Sequence, residues 1–435
     1  MDDLTLFPTS NWRRQALVAA LMFASAAIAP GQTETILHVF QAGSDGYYPE
    51  TYPLVLDSAG NLYGTTNYGG GGNCAFQEAY SGCGMIYQLT PPAEAGGAWT
   101  EHIVWQFQGG TDGAIPGGLL LRDGKLYGAA GTGGSGACSG GCGYIFELMP
   151  PATAGGSWTK TSLYDFPTLD SECGITAADA AGNFYGVGPS ANDNGSVCQI
   201  VPPRGAPSGP EGSWSERTLY TFKGVPRGQK FGDGSGPLGV TLDAHGNLWG
   251  ATVYGGYCQL FQGGSCFGTI FHLTPPSAPG GDWTESVAYR FSNLDQNPTS
   301  GVAIDKTGAL YGVTYVETYK FSGGSRTVIS SFSDIPPGAY APTGGVVLDG
   351  AGNVYGTTGA GGQYGYGTVY KLTAPAYSQT ILQSFAAGTD GWNPEGPMIL
   401  GPGGALYGTT QIGGNQGCQF GFGGIGCGTV FEIVQ

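Results

Sequence analysis

The chain repeats one phrase seven times: a short apolar strand, a tight turn, then Leu-Tyr-Gly or a close variant. The copies read NLYGTT at Asn61, KLYGAA at Lys125, NFYGVG at Asn183, NLWGAT at Asn247, ALYGVT at Ala309, NVYGTT at Asn353 and ALYGTT at Ala405. Successive copies lie about 45 to 65 residues apart. Units of that size, built from strand-like pieces, cannot each bury their own apolar surface, so they must stack or form a ring.

Each unit divides into four segments, a to d, ordered from a presumed centre outward. Segment a is exemplified by PLVLD from Pro53 and GVVLD from Gly345, and b is the repeated phrase. A glycine-rich loop leads to c, as in GMIYQL from Gly84, GTIFHL from Gly268 and GTVFEI from Gly428. Segment d reads WTEHIVWQF from Trp99 and WTKTSLYDF from Trp158. Segments a and c are apolar on nearly every residue, as expected where both faces of a sheet are covered, whereas d alternates as a half-exposed strand does. The pattern predicts an all-β fold, a seven-bladed propeller of four-stranded antiparallel blades.

The phase of the repeat predicts how the ring closes. ETILHVF (Glu34–Phe40) is a d-type strand with no a, b or c before it, and the chain ends on a c-type strand with no d after it. The N-terminal strand therefore completes the last blade, in a single domain over residues 34–435, and spares the ring an open edge.

Residues 13–29, RRQALVAALMFASAAIA, read as a secretory signal with cleavage between about residues 26 and 32. The apolar run is too short to span a bilayer, so no transmembrane anchor is expected after its removal. The expected location is secreted or periplasmic, with the protein a monomer. A net charge of -16 with only 15 Lys and Arg, none clustered, excludes the basic footprint that nucleic acid requires.

Ten cysteines fit an oxidising compartment. The repeat register pairs Cys74 with Cys83, Cys138 with Cys142, Cys258 with Cys266 and Cys418 with Cys427 across the same b–c loop, leaving Cys173 for Cys198. No histidine lies near any pair, which disfavours zinc.

The LYGTT phrase, the Gly-Gly loop and the GTVF or GTIF strand together resemble the GloVer tandem repeat of exported bacterial proteins, over roughly residues 34–435. The resemblance implies export and a repeat scaffold, and it brings no catalytic residues.

In a propeller the d-to-a and b–c loops emerge on one face around the central channel. Here the d-to-a loops carry GSDGYYPE from Gly43, GGTDGAIPGG from Gly109, GDGSGP from Gly232 and GTDGWNPEGP from Gly388. Taken singly, each Asp-Gly before Pro is turn chemistry. Taken together, Asp45, Asp112, Asp233 and Asp390, with Glu50 and Glu395, would form an acidic rim beside Tyr47, Tyr48 and Trp392. Carboxylates beside exposed rings suit sugar binding, and the same oxygens would suit Ca²⁺, the one cofactor this pattern admits.

The Asp that ends segment a (Asp57, Asp123, Asp179, Asp243, Asp305, Asp349) reads as a hairpin clamp on the opposite face. His38, His102, His245 and His272 fall outside the long loops, leaving a histidine metal centre or nucleophile triad without a home. The best-fitting reading is a binding module for extracellular or cell-surface glycan. A polysaccharide hydrolase or lyase using two rim carboxylates, and an assembly module for protein partners, stay open beside it.

Overall fold

In the computed structural model the described residues are 33–435, without 50–51, 78–79, 95, 154, 204–212, 259–265, 279, 293–296, 333–341, 416 and 419–424. The signal segment read in residues 13–29 lies outside them.

The described residues form seven antiparallel sheets, the blades of a closed propeller. Blade six shows the common plan: inner strand Pro342–Leu348, then Val354–Thr358, Thr368–Thr373 and outer strand Ser378–Ser384, hydrogen-bonded in that order. Blade seven takes Ile399–Leu400, Leu406–Thr410 and Thr429–Val434 from the end of the chain and its outer strand, Thr33–Val39, from the beginning. That ladder runs from Thr33 opposite Val434 to Val39 opposite Thr429, so the N-terminal strand closes the ring as the repeat phase requires. Blade one departs from four strands: Tyr47–Pro49 pairs beside Val55–Leu56 on Leu62–Gly70, and Ala75–Gln77 adds to Tyr80–Thr90.

The repeated phrase now has a physical cause. Its glycine sits opposite the aromatic ring of the next strand, Gly64 opposite Tyr87 and Gly356 opposite Tyr370. A Cβ at either glycine would stand 2.3 Å from the tyrosine oxygen, so the ring lies flat across the strand only because the side chain is missing. Blade three breaks this rule in an instructive way. There Gly186 faces Cys198, which is bonded to Cys173, and a Cβ at Gly186 would meet the inner strand instead, 2.1 Å from Gly174 O. The threonines of the phrase pair across the same strands, Thr358 with Thr368 and Thr410 with Thr429, each at 2.8 Å and buried.

The Asp that ends the inner strand clamps its hairpin. Asp57 accepts from the backbone N–H groups of Ala59 and Asn61 and from the Tyr63 hydroxyl. Asp179, Asp305 and Asp349 take the hydroxyls of Tyr185, Tyr311 and Tyr355 in the same way, and Asp243 takes the Trp249 indole N–H. Asp123 is the exception: it adopts φ 50° in a tighter turn, and the Tyr127 hydroxyl donates to Glu147 on the next strand at 2.8 Å instead. Blade seven has no Asp there, and Glu432 takes the Tyr407 hydroxyl likewise. The phenol needs an acceptor at this depth, and either strand can supply it.

The core is not one mass but seven layers, each shared by two neighbouring blades. One layer joins Phe40, Tyr407 and Val430 of blade seven to Leu62, Tyr87 and Leu89 of blade one. Further round, Val369, Leu382 and Phe385 of blade six meet Leu406 and Phe431 of blade seven. Each such side chain contributes about 1.5 to 3 kcal/mol by burial, and only when both blades are present. Five disulfides, Cys74–Cys83, Cys138–Cys142, Cys173–Cys198, Cys258–Cys266 and Cys418–Cys427, staple the blades internally, in the register that the repeat selects.

Candidate functional site

The outer strands meet their neighbours by a fixed rule: the sixth residue of one faces the second residue of the next. Around the ring the pairs are His38 with Glu101, Trp105 with Lys160, Tyr164 with Glu216, Tyr220 with Glu285, Tyr289 with Arg326, Ser330 with Gln379, and Gln383 with Glu34. Four of these joints also receive the Asp of the d-to-a loop, which decides what the acidic residues named from sequence can do.

Asp45 accepts from the Gln41 N–H at 2.5 Å and sits 3.1 Å from His38 Nε2. Asp112 accepts from the Gln108 N–H at 2.8 Å and pairs with Lys160, whose ammonium lies over the rings of Trp105, Phe107 and Tyr144. Asp233 takes the Tyr220 hydroxyl at 2.6 Å and the Lys223 N–H, and Asp390 accepts from Ala386 and Gly388 N–H groups. All four carboxylates therefore fasten their own loops, and Asp45, Asp112 and Asp233 also reach side chains of the outer strands. The turn-chemistry reading accounts for each of them.

Several joints put two carboxyl groups together, and half-burial there discourages charge on both. Burial, followed by the charge of Asp390, pushes the Glu34 carboxyl up to about 8, against the Gln383 hydrogen bond. Burial and Asp233 push Glu285 to about 7, with Arg290, Tyr220 and Lys223 opposing. Burial and the hydrogen bond to Asp45 push Glu101 to about 8. Lys160 is the converse: burial lowers its ordinary value while Asp112 opposes that fall.

The remaining residues named from sequence are spread over the loop face. Tyr47 is buried, its hydroxyl bonded to the backbone of Ser81, and Tyr48 packs against Tyr68. Trp392 stands edge-on to Tyr366 and is half-buried. Glu50 lies outside the described residues.

Glu395 is the sequence-named residue that reaches the molecule's axial cavity, about 770 Å³ in volume and lined by inner strands of the blades. Its lining includes Thr176, Thr241, Thr299, Ser300 and Thr343, together with Tyr52 and Tyr315. The two rings are 40% and 47% exposed, enough to present a face to a ligand. Hydroxyls run from blade to blade around the axis: Thr176 donates to Val240 O, Thr241 to Val302 O, and Thr299 to Pro342 O. Thr343 Oγ1 is sealed from solvent without a hydrogen-bond partner. Burial holds the Glu395 carboxyl above its ordinary value, against hydrogen bonds from Asn393 and Gln411. Among the described residues lining the cavity none is cationic and Glu395 is the only acid. Sequence reasoning passed over this site because it sought the long loops, whereas the lining comes largely from inner strands and the segments leading into them, such as NPTSGVAI from Asn297. The polar residues opening those strands were the missed signal.

Among solved structures, the chain is similar to the aldose sugar dehydrogenase of Streptomyces coelicolor in its PQQ-bound form, at 15% identity and TM-score 0.41, covering 94% of this chain and 99% of that one. It is similar also to a gluconolactonase of Xanthomonas campestris, at 11% identity and TM-score 0.37, over 94% and 91% of the two chains. The extracellular domain of a one-component system from B. thetaiotaomicron aligns at 10% identity and TM-score 0.49, over 91% of this chain and 40% of that one. Likenesses this distant carry no argument about chemistry. No curated protein matches the chain. The model of the Gloeobacter/Verrucomicrobia repeat matches residues 75–319, more than half of the sequence. By that match, the chain belongs to the Gloeobacter/Verrucomicrobia repeat family.

Proposed function

We propose that the protein is an exported binding module whose axial cavity takes a neutral polyhydroxylated ligand, a segment of extracellular or cell-surface glycan. The observation that carries this is the lining: backbone-anchored hydroxyls, two exposed tyrosine rings, one carboxyl and no cation. Hydroxyl networks pair with sugar hydroxyls, tyrosine faces stack on pyranose rings, and the absence of a cation disfavours phosphates and uronates. A two-carboxylate hydrolase fits this lining poorly, because Asp45, Asp112 and Asp390 are engaged in their own loops and Glu395 has no acidic neighbour among the described residues of the cavity. Export rests on the leader-like residues 13–29. Five disulfides, and the finding that no helix among the described residues is long and apolar enough to cross a membrane, agree with it.

Calorimetry of the oxidised protein against a panel of neutral and acidic oligosaccharides tests the reading. A neutral member should bind, and Tyr315→Ala should weaken it by about tenfold while the melting temperature holds. Binding indifferent to Tyr315→Ala and Thr343→Val would remove the cavity from consideration, and release of reducing ends would replace the binding module with an enzyme.

A further inference from the structure

The seven joints between outer strands serve as internal controls for one another, and the closing joint stands apart. At the sixth position of the strand the other blades carry Trp105, Tyr164, Tyr220, Tyr289, Ser330 and Gln383; the closing strand alone carries a histidine. His38 Nε2 lies 3.1 Å from Asp45 Oδ1 and 3.9 Å from Glu101 Oε1, and one donor atom from each of the three residues falls within 4.8 Å of the others. A metal held at about 2.0 to 2.1 Å by tetrahedral ligands requires donors about 3.3 to 3.5 Å apart, a spacing those two distances bracket. Glu101 Oε1 is closed off from solvent and faces the imidazole at 3.9 Å, beyond hydrogen-bond reach. A carboxylate oxygen turned away from water and facing a ring nitrogen and a second carboxylate is placed as a metal ligand is.

We propose that His38, Asp45 and Glu101 form a divalent metal site at the seam of the ring, one nitrogen and two oxygen donors with a position left for water. That donor set suits Zn²⁺ better than Ca²⁺, which prefers all-oxygen cages. The ligands come from the closing strand, the loop that follows it and the outer strand of blade one, so the ion ties the chain's first strand to the blade beyond the seam. The site is remote from the axial cavity and does not depend on the function proposed for it.

The fold itself supplies the test variants: glutamine already stands at the sixth position as Gln383 and at the second as Gln379. His38→Gln and Glu101→Gln should therefore fold. Protein freed of metal with EDTA and titrated calorimetrically with ZnCl₂ should bind one equivalent and melt at a higher temperature. Each variant should bind about 100-fold more weakly and lose that rise, and millimolar CaCl₂ should not compete. In the wild type, Zn²⁺ should slow carbethoxylation of His38 and leave the exposed His102 and His245 unaffected, a readout that needs no variant. Absence of Zn²⁺ binding, unchanged binding in both variants, or equal protection of all three histidines overturns the site.

Discussion

The joint between blades seven and one and the joint between blades one and two use the same two strand positions and the same loop aspartate, yet they are chemically opposite. At the seam, His38, Asp45 and Glu101 put two carboxyls and an imidazole together. One blade further, Lys160 occupies the place of Glu101 and brings a cation with it, held by Asp112 and by three aromatic faces. The backbone rule is thus indifferent to what it joins, and the chemistry of each joint is set by two or three side chains. A joint with its own ammonium is complete, whereas a joint of acids needs a proton or an ion from outside.

Removing residues 33–40 should have the largest effect, because it strips blade seven of its outer strand and empties one side of a core layer. Such a chain should fail to show a cooperative melt, and native-like melting would dissolve the distinction between seam and interior joints. Lys160→Ala should come next. It leaves Asp112 without its partner and opens the space between Trp105 and Phe107, so a loss of about 3 kcal/mol in denaturant unfolding is expected.

The acid joints should answer to pH. Glu34 titrates near 8 in the folded protein and near its ordinary value when unfolded, so the folded state holds an extra proton between about pH 4.5 and 8. Stability from this joint is therefore full at low pH and is lost as pH rises through 8. Glu34→Gln should leave stability at pH 5 nearly unchanged and raise it relative to wild type at pH 9, on the order of 1 to 3 kcal/mol. Glu285→Gln should do the same from about pH 7, more weakly because Arg290 and Lys223 already offset the charge. A pH-independent difference would count against the shared-proton account. The smallest effect is a transplant: Glu101→Lys should make the seam resemble its neighbour, raising stability of the metal-free protein by about 1 kcal/mol and abolishing the response to Zn²⁺.

Most of the fold could be read from the sequence because its causes are local and repeated. The glycine of LYG and the ring of GTVF face each other in one hairpin, and the Cys pairs recur at one loop. Even the seam was legible, since the repeat phase leaves a d strand at one end and its absence at the other. The joints were not, because His38 and Glu101 lie nearly a whole blade apart in sequence and the d-strand pattern that carries them does not say what each meets. That Asp45, Asp112, Asp233 and Asp390 fasten their own turns was legible as Asp-Gly turn chemistry, but not that three of them also reach side chains of the outer strands. Asp123 shows the limit from the other side: its spelling matches the clamp, but the shorter turn sends Tyr127 to Glu147.

The pairing of Thr33–Val39 with Thr429–Val434 works as a length check on the polypeptide. Thr33–Val39 finds its partner only once Thr429–Val434 has been made, so a product cut short anywhere in between leaves that strand unmatched and one blade edge bare. Incomplete molecules are thereby sticky and protease-sensitive, whereas finished ones have no loose end on the sheet. Proteolysis alone would then separate whole rings from fragments.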